Sequence, residues 1–273
     1  MNKIKILSYY FLEFILTFLV FFTFILFFFK VSILNPNYII KKLNENHYYE
    51  DLAKNIESTM EDYLRPSGLP MEVVKDIYTE SDLKREVDGM INNLYSGKKV
   101  NVETKNIQDK LNSNIKNYLE KNNIKVSDED SLDKFTDEVI KIYKKRIIIS
   151  EELESISPSV NKWNKRINLA SIILAILSIV LAFIIRFSFK KKALIIPFIT
   201  SSIMMMIVNN IMFLRIDIEH ILFWNKSITL IIKKIFYDLS SNLKNISIIL
   251  LVVTILILII TSLLKKYKKK LSF

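Results

Sequence analysis

Four long, almost uncharged apolar runs constrain this chain more than any other feature of its sequence. They cover residues 6–29, 167–185, 193–214 and 246–264, and Glu13 is the only charged residue in any of them. A helix rises about 1.5 Å per residue, so about 18–20 apolar residues cross a bilayer. The sequence therefore predicts an all-α, polytopic membrane protein with four transmembrane helices.

The first run has an alternative interpretation as a cleaved signal peptide, since Lys3 and Lys5 precede it. The apolar core of a signal peptide is about 7–15 residues long and ends at a pair of small residues. This run is longer, and no such pattern follows it. We favour an uncleaved membrane anchor.

The net charge of +11 comes from residues beside the apolar runs. Residues 30–165 hold 22 basic and 24 acidic residues, whereas the rest of the chain holds 17 and 4. The flanking basic residues are Lys3, Lys5, Arg186, Lys190, Lys191, Lys192, Lys265, Lys266, Lys268, Lys269 and Lys270. Cytoplasmic segments of membrane proteins are rich in Lys and Arg. We therefore predict that both termini are cytoplasmic and that residues 30–166 are extracytoplasmic, although residues 215–244 are also basic.

Four regions follow from these predictions. They are a short cytoplasmic N-terminus with the first span (1–29), an extracytoplasmic helical domain (30–166), a three-helix membrane region (167–264) and a basic cytoplasmic tail (265–273). Within the third region, residues 215–245 show apolar residues at helical spacing. This pattern is typical of an amphipathic helix that lies in the plane of the membrane surface.

The predicted extracytoplasmic domain has helical periodicity throughout. Apolar residues recur every three or four positions, for example at Leu83, Val87, Met90 and Ile91. Such stripes bury one face of each helix and predict a small all-α bundle. We expect Ser81 to cap the start of this helix and Gly97 to end it.

Residues 63–70 read Tyr-Leu-Arg-Pro-Ser-Gly-Leu-Pro between one anchor and three further spans. In this respect the chain resembles a family of uncharacterised four-span membrane proteins from low-GC Gram-positive bacteria. The resemblance implies a cell-membrane location, and it transfers no activity or functional residue. The segment Pro66, Ser67, Gly68, Leu69 and Pro70 is predicted to form a rigid turn, or alternatively an exposed recognition corner.

Polar residues within the apolar runs form one candidate site. Glu13 and Thr17 lie one turn apart on the first span, and Asn209 and Asn210 lie in the third. A carboxylate inside lipid is costly, which suggests a proton or cation site. Two structural alternatives are a Glu13 side chain that extends toward the basic N-terminus and Asn amides that bond to neighbouring helices.

Small residues form a second candidate on the second span. Ser171, Ala175, Ser178 and Ala182 lie on one helical face, where small side chains allow membrane helices to approach closely. We interpret this face as one that packs against another span or a partner protein.

The composition gives no signal for several classes of chemistry. The chain has no Cys, three scattered Gly and two His, His47 and His220, neither of them in a metal-binding motif. We predict no metal, no cofactor and no enzymatic activity. Because the middle domain is nearly neutral, we expect no nucleic acid, and the flanking lysines suit the lipid bilayer and its anionic headgroups.

These observations favour a non-enzymatic membrane protein whose outer helical domain binds, senses or scaffolds an envelope protein. An alternative is a permease-like subunit of an ABC transporter, since mechanotransmission-type (FtsX-like) permeases share the order of one span, an outer domain and three spans. The short loop around Lys190 argues against docking of an ATPase. A third hypothesis is an intramembrane enzyme or ion carrier that uses Glu13, Asn209 and Asn210.

Overall fold

The computed structural model describes residues 3–99, 102–124, 129–147, 151–189, 195–215, 218–220 and 226–270. Over these residues the protein is helical. The helices are α1 (Lys3–Val31), α2 (Pro36–Glu45), α3 (Tyr48–Ser67), α4 (Glu80–Ser96), α5 (Lys105–Lys121), α6 (Glu129–Ile147), α7 (Glu151–Phe189), α8 (Ile195–Arg215) and α9 (Lys226–Lys270). Two short 3₁₀ turns cover Met71–Val73 and Ile218–His220.

The chain forms two compact units. One comprises Asn35–Trp163, which we call the helical domain, and the other comprises Met1–Leu34 with Asn164–Phe273, which we call the membrane unit. The boundary at residue 163 lies within α7.

The helical domain has its own apolar core, built around α3. This helix packs against α2, α4 and α6, while α5 packs against α6 and the first 3₁₀ turn. The predicted stripes supply the core: Leu52, Ile56, Met60, Leu83, Val87, Ile107, Leu111, Ile115, Val139 and Tyr143 are all at most 5% exposed. The hydrophobic effect of burying these faces stabilises the bundle, since each fully buried aliphatic side chain contributes roughly 1.5–3 kcal/mol.

The start of α4 differs from the prediction by two residues. Thr79, not Ser81, is the N-cap: its hydroxyl accepts from the backbone N–H of Asp82, and the Asp82 carboxylate accepts from the N–H of Thr79. This reciprocal pair is a capping box. At the other end, Gly97 is confirmed as the cap residue, with a left-handed φ of 72°.

The segment after α3 turns later than its prolines suggest. The helix continues through Pro66 to Ser67, and the chain leaves it at Gly68, whose φ is 72°. Pro66 has no N–H to donate to the carbonyl one turn earlier, and the helix ends at the next residue. The Ser67 hydroxyl then donates to the carbonyl of Leu64 at 2.7 Å and accepts from the N–H of Leu69.

Four helical segments are long and apolar enough to cross a membrane, and they make up most of the membrane unit, although the second begins in the last residues of the helical domain. They cover Lys3–Val31, Pro158–Phe189, Ile195–Met212 and Thr229–Leu263, the mark of a multi-pass membrane protein. Helix α8 packs against α1 and α9. Many large apolar side chains on their outer faces are about half exposed, including Leu169, Ile176, Ile203, Ile249 and Ile260. Such a surface suits hydrocarbon rather than water.

Residues 226–270 form one helix, in contrast to the predicted separate in-plane helix within 215–245. Helix α9 is 45 residues long and includes both that amphipathic stretch and the fourth apolar run. The reason is visible in the sequence, since no Pro or Gly lies between residues 226 and 270 to break the helix. Ile231, Leu239 and Leu243 of this stretch are buried.

Candidate functional site in the membrane helices

Glu13 is a buried acidic side chain in the middle of an apolar helix, with 5% of its surface exposed. Its Oε1 accepts a hydrogen bond of 2.9 Å from the hydroxyl of Tyr9, one turn earlier on α1, and Tyr9 is itself buried. No ion pair joins Glu13 to Lys3 or Lys5 within the described part of the chain. The carboxylate therefore obtains its polar partner from a tyrosine instead of a lysine.

Thr17 continues this buried polar face toward α8. Its hydroxyl donates to the backbone carbonyl of Glu13 at 2.9 Å. The carbonyl of Thr17 in turn accepts a 3.0 Å hydrogen bond from the hydroxyl of Ser201, which is fully buried. This bond between helices has the geometry by which small polar residues hold membrane helices together.

The two asparagines have different environments. Asn209 is buried at 5% exposure, whereas its neighbour Asn210 is exposed. Consecutive residues on a helix point about 100° apart, so the pair does not act as a single site. The structure thus places Glu13, Thr17 and Asn209 on buried faces of the bundle and leaves Asn210 on its surface.

Ring contacts and hydrogen bonds give the directions of the helices around α1. Tyr9 contacts Phe189, with ring centroids 5.5 Å apart, so the start of α1 lies beside the end of α7. Phe24 contacts Phe198 at 5.8 Å, while the earlier residue Thr17 meets the later Ser201. Helix α8 therefore runs opposite to α1.

This second pairing has a consequence for the order of the spans. Four complete crossings that alternate in direction would place α1 and α8 parallel to each other. The contact between Tyr9 and Phe189 is compatible with this alternation, and the antiparallel α1–α8 pair is not.

The predicted small-residue face of α7 lies mostly inside the bundle. Ser171, Ser178 and Ala182 are each 8% exposed, and Ala175 is half-buried. Ala182 belongs to an apolar cluster with Tyr9, Leu16, Val20 and Ile185. Ala182 of this face therefore packs with side chains of α1. The two serine hydroxyls donate to carbonyls of their own helix.

A cavity of about 510 Å³ lies beside this face. All four apolar helices line it: α1 through Val20, α7 through Ser178 to Arg186, α8 through Ile195 and Phe198, and α9 through Ile257 and Thr261. Arg186 is the one charged residue among these lining side chains. The volume falls within the range of about 300–1,000 Å³ that small-molecule sites occupy.

The helical domain holds buried tyrosines with contrasting environments. The Tyr49 hydroxyl donates to the Asp88 carboxylate, whereas the Tyr48 hydroxyl is buried without a hydrogen-bond partner in the described part of the chain. Burial raises the pKa of Tyr48 from 10.0 to about 12. Both phenols are therefore neutral at physiological pH.

The predicted turn and the histidines show no chemical site. Ser67 and Gly68 are exposed, and His47 is an exposed residue in the left-handed region at the start of α3. Within the described ranges, no group of three or more His, Cys, Asp or Glu side chains could hold a metal ion.

Sequence reasoning did not select three residues that the structure places beside Glu13, beside Thr17 or in the lining of the cavity. Tyr9 precedes Glu13 by one helical turn, a spacing that could have indicated its hydrogen bond. Ser201 pairs with a residue 184 positions away, so only the fold reveals its partner. Arg186 was noted solely as a flanking charge, and its place beside a cavity depends on four helices.

Comparison with protein-family models, with curated proteins and with solved structures found no match.

Proposed function

We propose that this chain is a non-enzymatic, multi-pass protein of the cell membrane whose helical domain binds, senses or scaffolds an envelope protein. The observation that carries the proposal is the division into two compact units of opposite character. The membrane unit exposes apolar side chains, whereas the helical domain buries its apolar residues and exposes charged ones. Such a domain suits water and a protein partner.

The proposed topology places residues 30–166 outside the cytoplasm and both termini inside. The near-neutral domain and the lysines beside the apolar runs support it. The contact of Tyr9 with Phe189 brings the start of α1 beside the end of α7, which supports placing Lys5 and Arg186 on one side of the membrane. The lysines of the tail support its cytoplasmic side, whereas the antiparallel α1–α8 contact does not fit four complete crossings that alternate in direction.

The exposed corner at Ser67 and Gly68 is the part of the helical domain that we propose for partner recognition. Its charged surroundings pair only weakly, since the Arg65–Glu61 ion pair at 3.2 Å is solvent-exposed. These side chains can therefore rearrange against a partner at little cost.

Site-directed crosslinking in cells tests this proposal. The full chain would carry a photoreactive group on a single cysteine at Ser67, with Ser113 on the exposed side of α5 as the control position. We expect a discrete crosslinked envelope protein from the Ser67 position. Equal or absent crosslinking at the two positions would contradict recognition at this corner.

The cavity in the membrane unit favours a second candidate function, that of a permease-like subunit of an ABC transporter. Transport needs a path or binding site among the membrane helices, and the cavity contacts all four. This function requires a partner ATPase. Co-purification of an ATPase with the full chain from native membranes would support this function. If no ATPase co-purifies after crosslinking and solubilisation in a mild detergent, the result would argue against it.

A further inference from the structure

We propose that the cavity in the membrane unit binds one anionic phospholipid, with an acyl chain between the helices and the phosphate on Arg186. This inference rests on the proposed membrane location. It goes beyond the general attraction of flanking lysines to headgroups, because it assigns one lipid to one site.

The cavity is suited to a hydrocarbon chain. Apolar side chains from four helices line it, among them Ile179, Phe183, Phe198 and Ile257. Ser178 and Ala182 are the small residues that leave this space open on α7. The Ser178 hydroxyl is already used, since it donates to the carbonyl of Leu174 at 2.7 Å.

Arg186 supplies the charge complementarity. It is exposed, and it makes no hydrogen bond or ion pair to any described residue. The other polar lining residue, Thr261, donates to the carbonyl of Leu258 at 3.0 Å. The guanidinium is therefore the lining group with donors left for a ligand.

A phosphate is the ligand group that best satisfies such an arginine. The planar guanidinium donates two parallel hydrogen bonds to a phosphate, which a lysine cannot do. Basic pockets between membrane helices are known to take the headgroups of anionic lipids. A phospholipid places its phosphate next to its acyl chains, which matches an arginine at the edge of an apolar cavity. An anionic phospholipid lacks the headgroup cation that neutralises the phosphate of a zwitterionic one, so its attraction to the guanidinium is stronger.

Native mass spectrometry of the purified full chain tests the site. The probes are phosphatidylglycerol and phosphatidylcholine with identical acyl chains, added to delipidated protein in detergent. We expect one retained phosphatidylglycerol per chain and weaker retention of phosphatidylcholine. Glycerol phosphate should not compete, because it lacks the chain that fills the cavity.

Three variants separate the contributions. Arg186→Gln should weaken phosphatidylglycerol retention by at least about tenfold, since it removes two charge-assisted hydrogen bonds and about tenfold is the loss expected for one, and Arg186→Lys should weaken it less. Ala182→Leu narrows the cavity and should reduce retention of both lipids. Lys30→Gln, an exposed basic residue at the other end of α1, is the matched control and should change nothing.

Two results would overturn the proposal: equal retention of the two lipids by the unmodified protein, or a loss in Lys30→Gln as large as that in Arg186→Gln. Resistance of the chain to alkaline carbonate extraction reports on membrane insertion alone. A failure of the lipid site is thereby distinguishable from a failure of the membrane assignment.

Discussion

The hydroxyl of Ser201 donates a hydrogen bond to the backbone carbonyl of Thr17, 184 residues earlier in the chain, and so joins α8 to α1. Both residues are buried. Because the chain has no cysteine, this contact can be tested by disulfide formation without background.

We expect the double variant Thr17→Cys/Ser201→Cys to form a disulfide in membranes, because the Ser201 side chain reaches the backbone of Thr17 and the two helices are therefore close at this point. The pair Phe24→Cys/Phe198→Cys should be joined by a short bifunctional thiol reagent, because the two rings are in contact, and this second link would establish that α1 and α8 run in opposite directions. Thr17→Cys/Ile207→Cys is the control, since Ile207 lies on the exposed side of α8. Crosslinking of the control alone would show that the helices pack differently. Mobility on a non-reducing gel measures all three.

Removal of the hydroxyl group from two adjacent tyrosines should change the stability of the helical domain in opposite directions. Tyr48→Phe removes a buried hydroxyl without a partner and should raise stability by about 1 kcal/mol. Tyr49→Phe leaves Asp88 without its donor and should cost about 1.5–3 kcal/mol. Thermal unfolding of the purified full chain measures both. A loss of stability in Tyr48→Phe would show that its hydroxyl has a partner.

Replacement of either of two glycines by alanine should change the stability of the helical domain in opposite directions, because only one of the two has a left-handed backbone conformation. Gly97 has a φ of 72°, and a Cβ there would lie 2.6 Å from Nδ2 of Asn161, which itself donates to the carbonyl of Ser96. Gly97→Ala should therefore cost about 1–2 kcal/mol for the left-handed conformation alone. Gly89 is inside α4 with open space around its Cβ position, so Gly89→Ala should stabilise by about 1 kcal/mol. Thermal midpoints that shift in the same direction in the two variants would contradict these opposite effects.

The capping box of α4 predicts an acid-sensitive contribution. The hydrogen bond with Thr79 is the main reason why the pKa of Asp82 lies below its ordinary value of 3.8. Since the folded pKa is the lower one, this stabilisation is present above pH 3.8 and is lost as the pH falls below that value. Asp82→Asn should show a smaller decrease in thermal midpoint between pH 5 and pH 3 than the unmodified chain. An equal decrease in the thermal midpoints of the two proteins would mean that protonation of the Asp82 carboxylate is not linked to unfolding.

The helical elements could be predicted because their causes are local. Stripes such as Leu83, Val87 and Ile91 reveal a buried face, and Gly97 marks a helix end because a left-handed residue is needed there. The cap at Thr79 was missed because Ser81 is an equally good cap by residue type. The reciprocal bond with Asp82 decides between them, and it depends on the backbone geometry.

The site was harder to predict because its partners are distant in sequence. Glu13 and Thr17 could be identified from their place in an apolar run. The bond from Ser201 and the cavity at Arg186 depend on which helices become neighbours, and hydropathy alone does not determine this. The length of α9 was underestimated because a change from amphipathic to apolar sequence does not by itself end a helix.

The side of the membrane that holds the helical domain is tested most directly by labelling single cysteines with a membrane-impermeant maleimide on intact, wall-free cells. Ser113→Cys lies in the helical domain, and Ser272→Cys lies in the basic tail. We predict that Ser113→Cys reacts before lysis and that Ser272→Cys reacts only after it. Early reaction of both would place the tail outside and would contradict a cytoplasmic C-terminus. Protection of Ser113→Cys until lysis would contradict an extracytoplasmic helical domain.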